Sequence, residues 1–310
     1  MKKNDSNIKK AIKYLNNNEC IAIPTETVYG LAANAYSEMA VSKIYKLKKR
    51  PKNNPLIVHY YSLDDLKKDC EIDNSFRSFY NKFCPGPITF VLKLKKSSKI
   101  SKIVTNQSNS LAIRFPNHRI TRKLLKNINF PLAAPSANVS TSISPVSKKD
   151  VLDEFGHKIR FILDGGYSKI GLESTIINLI GKPQILRLGG TNSKTIYKLI
   201  GSLKKKKEKK IKIKVPGTNK LHYSPGIPMR LNAKINDKQE AFILIKKRKE
   251  TSKNYFYLTK KNNLNEAARN LYKTLRKIKK KGYKKIAIEK IPKVDIGEAI
   301  NDRIIRASKK

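Results

Sequence analysis

Five short polar segments interrupt the apolar pattern of this chain, each beside a buried run. Pro24-Thr25-Glu26-Thr27-Val28-Tyr29-Gly30-Leu31 follows the strand-like Ile21-Ala22-Ile23 and offers hydroxyls and a carboxylate to a small polar ligand; the competing reading is an ordinary turn with threonines bonded to backbone. In Lys48-Lys49-Arg50-Pro51-Lys52-Asn53-Asn54-Pro55, a lysine and an arginine two apart leave a helix together and can converge on an anion. His59 ends the next apolar run, where a structural histidine is the ordinary expectation. Arg114 sits between Leu111-Ala112-Ile113 and Phe115-Pro116, a setting so apolar that it needs an anionic partner. Ala133-Ala134-Pro135-Ser136-Ala137-Asn138-Val139-Ser140, with Ser142 and Ser144 beyond, combines close backbone approach with donors suited to phosphate oxygens. A glycine-flexed loop from Asp164 returns through Glu173-Ser174-Thr175, and Arg187-Leu188-Gly189-Gly190 places an arginine at a strand end. No G-x-x-x-x-G-K-[ST] loop, G-x-G-x-x-G or G-x-S-x-G elbow occurs. Anion donors and hydroxyls without an evident nucleophile describe a site that positions phosphate- and carboxylate-bearing substrates and stabilises charge.

The elements that must hold these segments alternate. Ile8, Ala11, Ile12 and Leu15 mark a helix face, and Ser37 is placed to cap a helix carrying Val41, Ile44 and Tyr45. Strands are predicted at 21–23, 56–60, 88–94, 111–115, 161–163, 174–180 and 185–188; helices at 73–83, 119–127, 148–155 and 193–200. Beyond a lysine run at 204–210, strands at 242–245, 255–258 and 286–288 accompany a long helix from Leu264 to Ile278 and another at 297–307. This is an α/β or α+β sheet domain, residues 1–203, joined by a basic linker, 204–227, to a smaller α/β module, 228–310.

Composition sets the outer limits. The length of 310 residues suggests two domains, and with 39% hydrophobic side chains the chain can bury at least one ordinary core. No apolar run approaches 18 residues, and the lysine-studded N-terminus does not read as a signal peptide. Three cysteines without a C-x-x-C pair fit reduced thiols and a cytoplasmic location, and the four scattered histidines lack the ligand spacing of zinc. The net charge of +45 suggests a polyanionic partner such as RNA. Lysine, asparagine and isoleucine are also what AT-rich codons favour, so both origins of the charge stay open.

Taken in order, PTETVYGL (24–31), KKRPKNNPLIVH (48–59), PGPITFVL (85–92), LAIRFP (111–116), AAPSANVS (133–140) and DGGYSKIGLESTIINL (164–179) resemble the YrdC-like family of L-threonylcarbamoyladenylate synthases. PGTNKLHYSP (216–225), NEAARNLYKTLR (265–276) and GEAINDRIIRAS (297–308) are similar to the linker and accessory domain of its long, two-domain form. The resemblance implies a twisted mixed sheet with an open concave site and a covering linker. It also implies that L-threonine, bicarbonate or carbon dioxide, and ATP give threonylcarbamoyl-AMP and pyrophosphate, with Mg²⁺ accompanying ATP and no organic cofactor. A partner transferase then modifies ANN-decoding tRNAs. Carried over by motif position, Thr27, His59, Arg114, Ala134 (by its backbone) and Ser174 hold threonine, Arg114 pairing with its carboxylate. Lys48, Arg50, Asn54, Ser110, Ser136, Asn138, Ser144, Arg187 and Tyr223 surround ATP. One departure concerns Thr141, where the family usually has glycine: a positive φ there would cost of order 1 kcal/mol and bears more on Ser144 than on Ser136. Two rivals are a related domain that activates carbamoyl groups for other acceptors and a non-catalytic, basic RNA-binding module.

Overall fold

The computed structural model describes residues 2–202, 222–235 and 237–309, so most of the expected linker, 204–227, lies outside the described residues. The first part contains α1 (Lys2–Asn16), β1 (Ile21–Ile23), β2 (Gly30–Asn34), α2 (Glu38–Lys48), β3 (Ile57–His59), α3 (Leu63–Lys67), α4 (Asn74–Phe83), β4 (Ile88–Lys93), α5 (Lys102–Thr105) and β5 (Ser110–Arg114). It continues with α6 (Arg119–Lys126), β6 (Leu132–Ala133), α7 (Lys148–Phe155), β7 (Phe161–Ile162), β8 (Thr175–Asn178), β9 (Gln184–Arg187) and α8 (Ser193–Ser202). The second part holds β10 (Met229–Arg230), β11 (Ala241–Lys246), β12 (Tyr255–Thr259), α9 (Leu264–Lys280), β13 (Ile286–Ile288) and α10 (Ile296–Ala307).

The larger sheet runs β7-β1-β2-β6-β3-β5-β4-β8-β9 and mixes parallel with antiparallel neighbours; the smaller, β10-β13-β11-β12, is parallel throughout. Strand alternation sorts the side chains of the large sheet. Leu111 and Ile113 of β5, Val58 of β3 and Phe90 of β4 point into the main core, with Ile44 of α2 and Phe76 and Phe79 of α4. Ile57, Val91, Ala112 and Ile176 make a thin apolar strip on the opposite face. Ser110 and Arg114 share that second face with Ala112, and it is there that the polar segments gather.

The predicted helices and strands form where expected, Ser37 accepting from Ala40 N as the cap of α2. The additional elements are short. Strands β6 and β10 have two residues each, and α3 and α5 have five and four, too few for periodicity to register. Strand β2, Gly-Leu-Ala-Ala-Asn, lacks the β-branched residues that mark a strand.

Thr141 does adopt positive φ, 72°. Its carbonyl accepts from Ser224 N at 2.8 Å, and Ser142 bridges to Ser224, so this strained turn is where the first part meets the covering segment. Tyr223 is also at positive φ, 66°. Replacing Thr141 by glycine should therefore stabilise the fold by about 0.5–1 kcal/mol, net of the entropy glycine adds to the unfolded chain. Thermal unfolding checks this, and an unchanged or lower Tm for Thr141→Gly would remove the strain.

Candidate active site

Strand register sets Arg114 beside His59 of β3 on one side and Thr89 of β4 on the other. Arg114 is 4% exposed, and the anion it needs is supplied by the chain: Glu26, also buried, lies 2.7 Å from Nη2. The pair is close but poorly aligned, leaving both Glu26 oxygens and Arg114 Nε and Nη2 outside any good hydrogen bond. Arg114 Nη1 donates to Thr27 Oγ1 at 2.8 Å, the Thr27 and Thr25 hydroxyls lie 2.8 Å apart, and Thr25 donates to Val28 O at 2.6 Å. With the Thr25 proton spent on Val28, Thr27 must donate to Thr25. Thr25 is thus the turn-former, and Thr27 is the hydroxyl turned to the arginine. His59 keeps Nδ1 unpartnered; burial, then the Arg114 charge, holds its pKa well below the usual histidine value, so the ring is neutral.

Helix α2 ends on Lys49, whose left-handed conformation (φ 48°) lets its N–H cap Tyr45 and Lys46 carbonyls. The turn sends Lys48 and Arg50 inward, and both are buried. Lys48 Nζ donates to Ser136 O at 2.6 Å and Asn138 O at 2.5 Å, fixing the loop after β6. Arg50 donates to Asn54 O, Asn54 Oδ1 and Pro55 O at 3.0, 2.5 and 2.8 Å. Burial brings Arg50 down to about 10, and burial together with Arg50's charge holds Lys48 well below the usual lysine value.

At the end of β9, Arg187 donates to Ser174 O through Nε (3.1 Å) and Nη2 (2.9 Å), and Nη2 reaches Ser174 Oγ at 3.1 Å. Thr89 Oγ1 lies 2.8 Å from the same Oγ. Gly189 permits this contact, because a Cβ there would stand 2.3 Å from Glu173 O. Glu173 is buried beside them; burial raises its pKa, but Arg303 and Arg187 outweigh it and bring the carboxyl to about 2. From the described end of the linker, His222 and Tyr223 close over the group, their ring centroids 4.0 Å apart.

Thr27, Arg50, His59, Arg114, Ala134, Ser136, Ser174, Arg187 and Tyr223 line one cavity of about 40 Å³. Lys48, Asn54 and Asn138 stand behind its wall, holding the loops that carry Ser136 and Arg50. Asn138 Nδ2 donates to Val139 O and Ser142 O, Asn138 Oδ1 has no partner among the described residues, and the fully buried Ser144 hydroxyl lies beside the Glu173 carboxylate. Ser110 instead opens on a groove of about 750 Å³ floored by Val91, Ala112 and Ile180 and edged by Lys93 and Lys95. Ser110 and Arg114 are about 13 Å apart along one strand face, so groove and cavity lie on the same face of the sheet. The groove is open. The cavity, covered by His222 and Tyr223, is far below the roughly 300–1,000 Å³ of ligand pockets.

Glu173, His222, Tyr272 and Arg303 were given no role in the sequence reading, and the Glu26 carboxylate, offered there to a ligand, faces Arg114 instead. Arg303 carried a usable signal: with Ile300, Ile304 and Ala307 it falls on the apolar stripe of α10, the same anomaly that marked Arg114. Burial, chiefly, lowers the pKa of His222 to about 3, against 6.5 for the free side chain. The unfolded chain takes up this proton near pH 6.5 and the folded chain only near 3. Stability from this source is complete above pH 6.5 and lost as pH falls towards 3. Acid titration of Tm should show that decline, and His222→Gln should flatten it; an unchanged profile would place the titration elsewhere.

Residues 13–189 match the Sua5–YciO–YrdC family, described as "Telomere recombination", and residues 184–309 match "Threonylcarbamoyl-AMP synthase, C-terminal domain". A threonylcarbamoyl-AMP synthase of Pyrococcus abyssi is 36% identical, over 97% of this chain and 94% of its own. That of Bacillus subtilis is 33% identical, over 98% and 94%. The crystal structure of P. abyssi Sua5 complexed with L-threonine superposes with a TM-score of 0.87 at 34% identity, covering 97% of this chain and 94% of the other. With both parts matched in order and the polar segments gathered on one sheet face, the chain belongs to the threonylcarbamoyl-AMP synthase family, in its two-domain form.

Proposed function

We propose that the chain condenses L-threonine, bicarbonate or carbon dioxide, and ATP into threonylcarbamoyl-AMP, releasing pyrophosphate. The observation that carries this reading is that a cavity lined by hydroxyls and arginines and an open, lysine-edged groove lie on one face of the large sheet. The threonine amine adds to carbon dioxide, forming an N–C bond and giving up a proton. A carbamate oxygen then attacks the α-phosphorus, the P–O bond to the β-phosphate breaks, and pyrophosphate leaves with the electron pair.

Thr27, His59, Arg114 and Ser174, with the backbone at Ala134, hold threonine on this reading, and Arg114 exchanges Glu26 for the substrate carboxylate. Arg50 and Arg187, with Ser136, take the phosphates. Lys48, Asn54, Asn138 and Ser144 support that end, Ser110 faces the nucleoside, and Tyr223 covers the site. In-line transfer asks chiefly for position and positive charge, and a dry cover suits a carbamate that water would destroy. Mg²⁺ would enter chelated by the ATP phosphates, and it neutralises charge developing on them. No three His, Cys, Asp or Glu side chains among the described residues are grouped to hold a metal ion. The product is consumed by a transferase acting on ANN-decoding tRNAs, in the cytoplasm where ATP and tRNA meet, and the lysine-rich surface gives RNA an electrostatic foothold. No helix among the described residues is long and apolar enough to cross a membrane.

Pyrophosphate release from ATP and bicarbonate should depend on L-threonine, with serine much weaker; release indifferent to threonine from a folded chain would end this reading. Arg50→Ala should abolish turnover, and near-native rates in it would contradict the phosphate role. Arg114→Ala should raise the threonine KM roughly 30-fold or more, as when one partner of a buried charge pair is truncated. An unchanged threonine KM would dismiss its carboxylate role.

A further inference from the structure

Arg303 lies on α10 of the second part, yet its contacts are with the site of the first. Its side chain is wholly buried. Nε is 2.7 Å from Glu173 Oε2, Nη2 donates to Leu188 O at 2.8 Å, and Nη1 meets Asp302 at 2.6 Å. Its guanidinium lies over the Tyr223 ring, 4.8 Å from the centroid. Tyr272 of α9 completes the arrangement, its hydroxyl 3.0 Å from both Glu173 oxygens and its ring stacked on Tyr223 at 6.0 Å. Apart from Asp302 on its own helix, each Arg303 contact falls one residue from the site or on it: Glu173 precedes Ser174, Leu188 follows Arg187, and Tyr223 is the cover.

This arginine is one of several contacts that dock the two parts. Elsewhere the two parts are joined by Arg276 with Glu154 and Ile143 O, Lys280 with Asp153, Arg269 with Lys169 O, and Ser193 with Glu298. A buried ion pair is also poor glue, because its desolvation offsets its attraction and a wholly apolar pair of like volume would hold as well. What an apolar residue lacks is a fork that fixes two loops and a ring at set angles.

We propose that Arg303 is a positioning residue of the active site: it sets the Ser174–Arg187 pair and seats Tyr223, so the second part builds the site that the first part carries. This rests on the synthase reading and adds a residue to it. Tyr272 acts with Arg303 through Glu173.

The test compares full-length wild type with Arg303→Met, Arg303→Lys, Tyr272→Phe and Glu298→Ala. Steady-state pyrophosphate release gives kcat and KM for ATP and threonine, calorimetry gives ATP affinity, and Tm reports folding. Arg303→Met should lose at least tenfold in kcat/KM for both substrates, chiefly through KM, and at least tenfold in ATP affinity. Arg303→Lys should recover part of the loss, since lysine keeps the charge beside Glu173 but not the fork. Tyr272→Phe, which keeps the ring, should lose less than Arg303→Met. Glu298→Ala, on the same helix and interface but away from Glu173, should keep wild-type kinetics.

Arg303→Met within twofold of wild type overturns the proposal, as does Glu298→Ala losing as much, which would make the effect one of docking. If Arg303→Met does not fold, Arg303→Lys and Tyr272→Phe decide, and wild-type KM values in both overturn it. If wild type binds ATP but releases no threonine-dependent pyrophosphate, the synthase reading fails separately. ATP affinity then decides for Arg303, a tenfold loss supporting the positioning role and equal affinity overturning it.

Discussion

Positive charge is buried in this concavity faster than the chain supplies negative charge to meet it. Lys48, Arg50, Arg114, Arg187 and Arg303 are all under 9% exposed, and of the carboxylates buried to the same degree only Glu26 and Glu173 stand among them. Leaving cations unsolvated is costly unless their hydrogens are satisfied. The fold answers with backbone: carbonyls of Ser136, Asn138, Asn54, Pro55, Ser174 and Leu188 accept from them. Carbonyls satisfy donors without cancelling charge. The site is held rigid while its field stays available to an anion that arrives from solvent.

That economy explains the division of labour along the sheet. On the Arg114 end the chain provides its own carboxylate, so a substrate carboxylate finds an arginine already oriented by Thr27. The buried carboxylate beside Arg187 is Glu173, and it is engaged by Arg303 and Tyr272. The thin apolar strip of Ile57, Val91, Ala112 and Ile176 separates this charged end from the lysine-edged groove at Ser110. One strand, β5, carries both ends, and its register with β3 and β4 sets their spacing.

Most of the elements and the cavity's lining were legible in the sequence because they lie within contiguous motifs, and because Arg114's apolar flanks announced a buried charge. The identity of its partner was not legible. Glu26 sits in the same motif as Thr27, and nothing in spacing says which of two neighbouring polar residues will turn to a strand 88 positions away. Lys48 shows the complementary limit: its place near phosphate-binding loops was foreseen, but only geometry reveals that its ammonium is spent on two carbonyls of the 133–140 loop. Ser110 was assigned with the ATP residues and does lie on their sheet face, yet it opens on the groove rather than the cavity. Contacts contributed by the second part were invisible, since the pairs Glu173–Arg303 and Glu173–Tyr272 join residues 130 and 99 positions apart.

That separation has a consequence for synthesis. Chains fold from the N-terminus as they are made, and the large sheet, with the Ser174 loop, can form long before α10 has been translated. Until then Glu173 has neither Arg303 nor Tyr272, and Gly171 has no α9 backbone against it, a contact so close that a Cβ would lie 2.6 Å from Arg269 Cα. At that stage the centre lacks the groups that orient Glu173, and on the role proposed for Arg303 they arrive only when α9 and α10 dock.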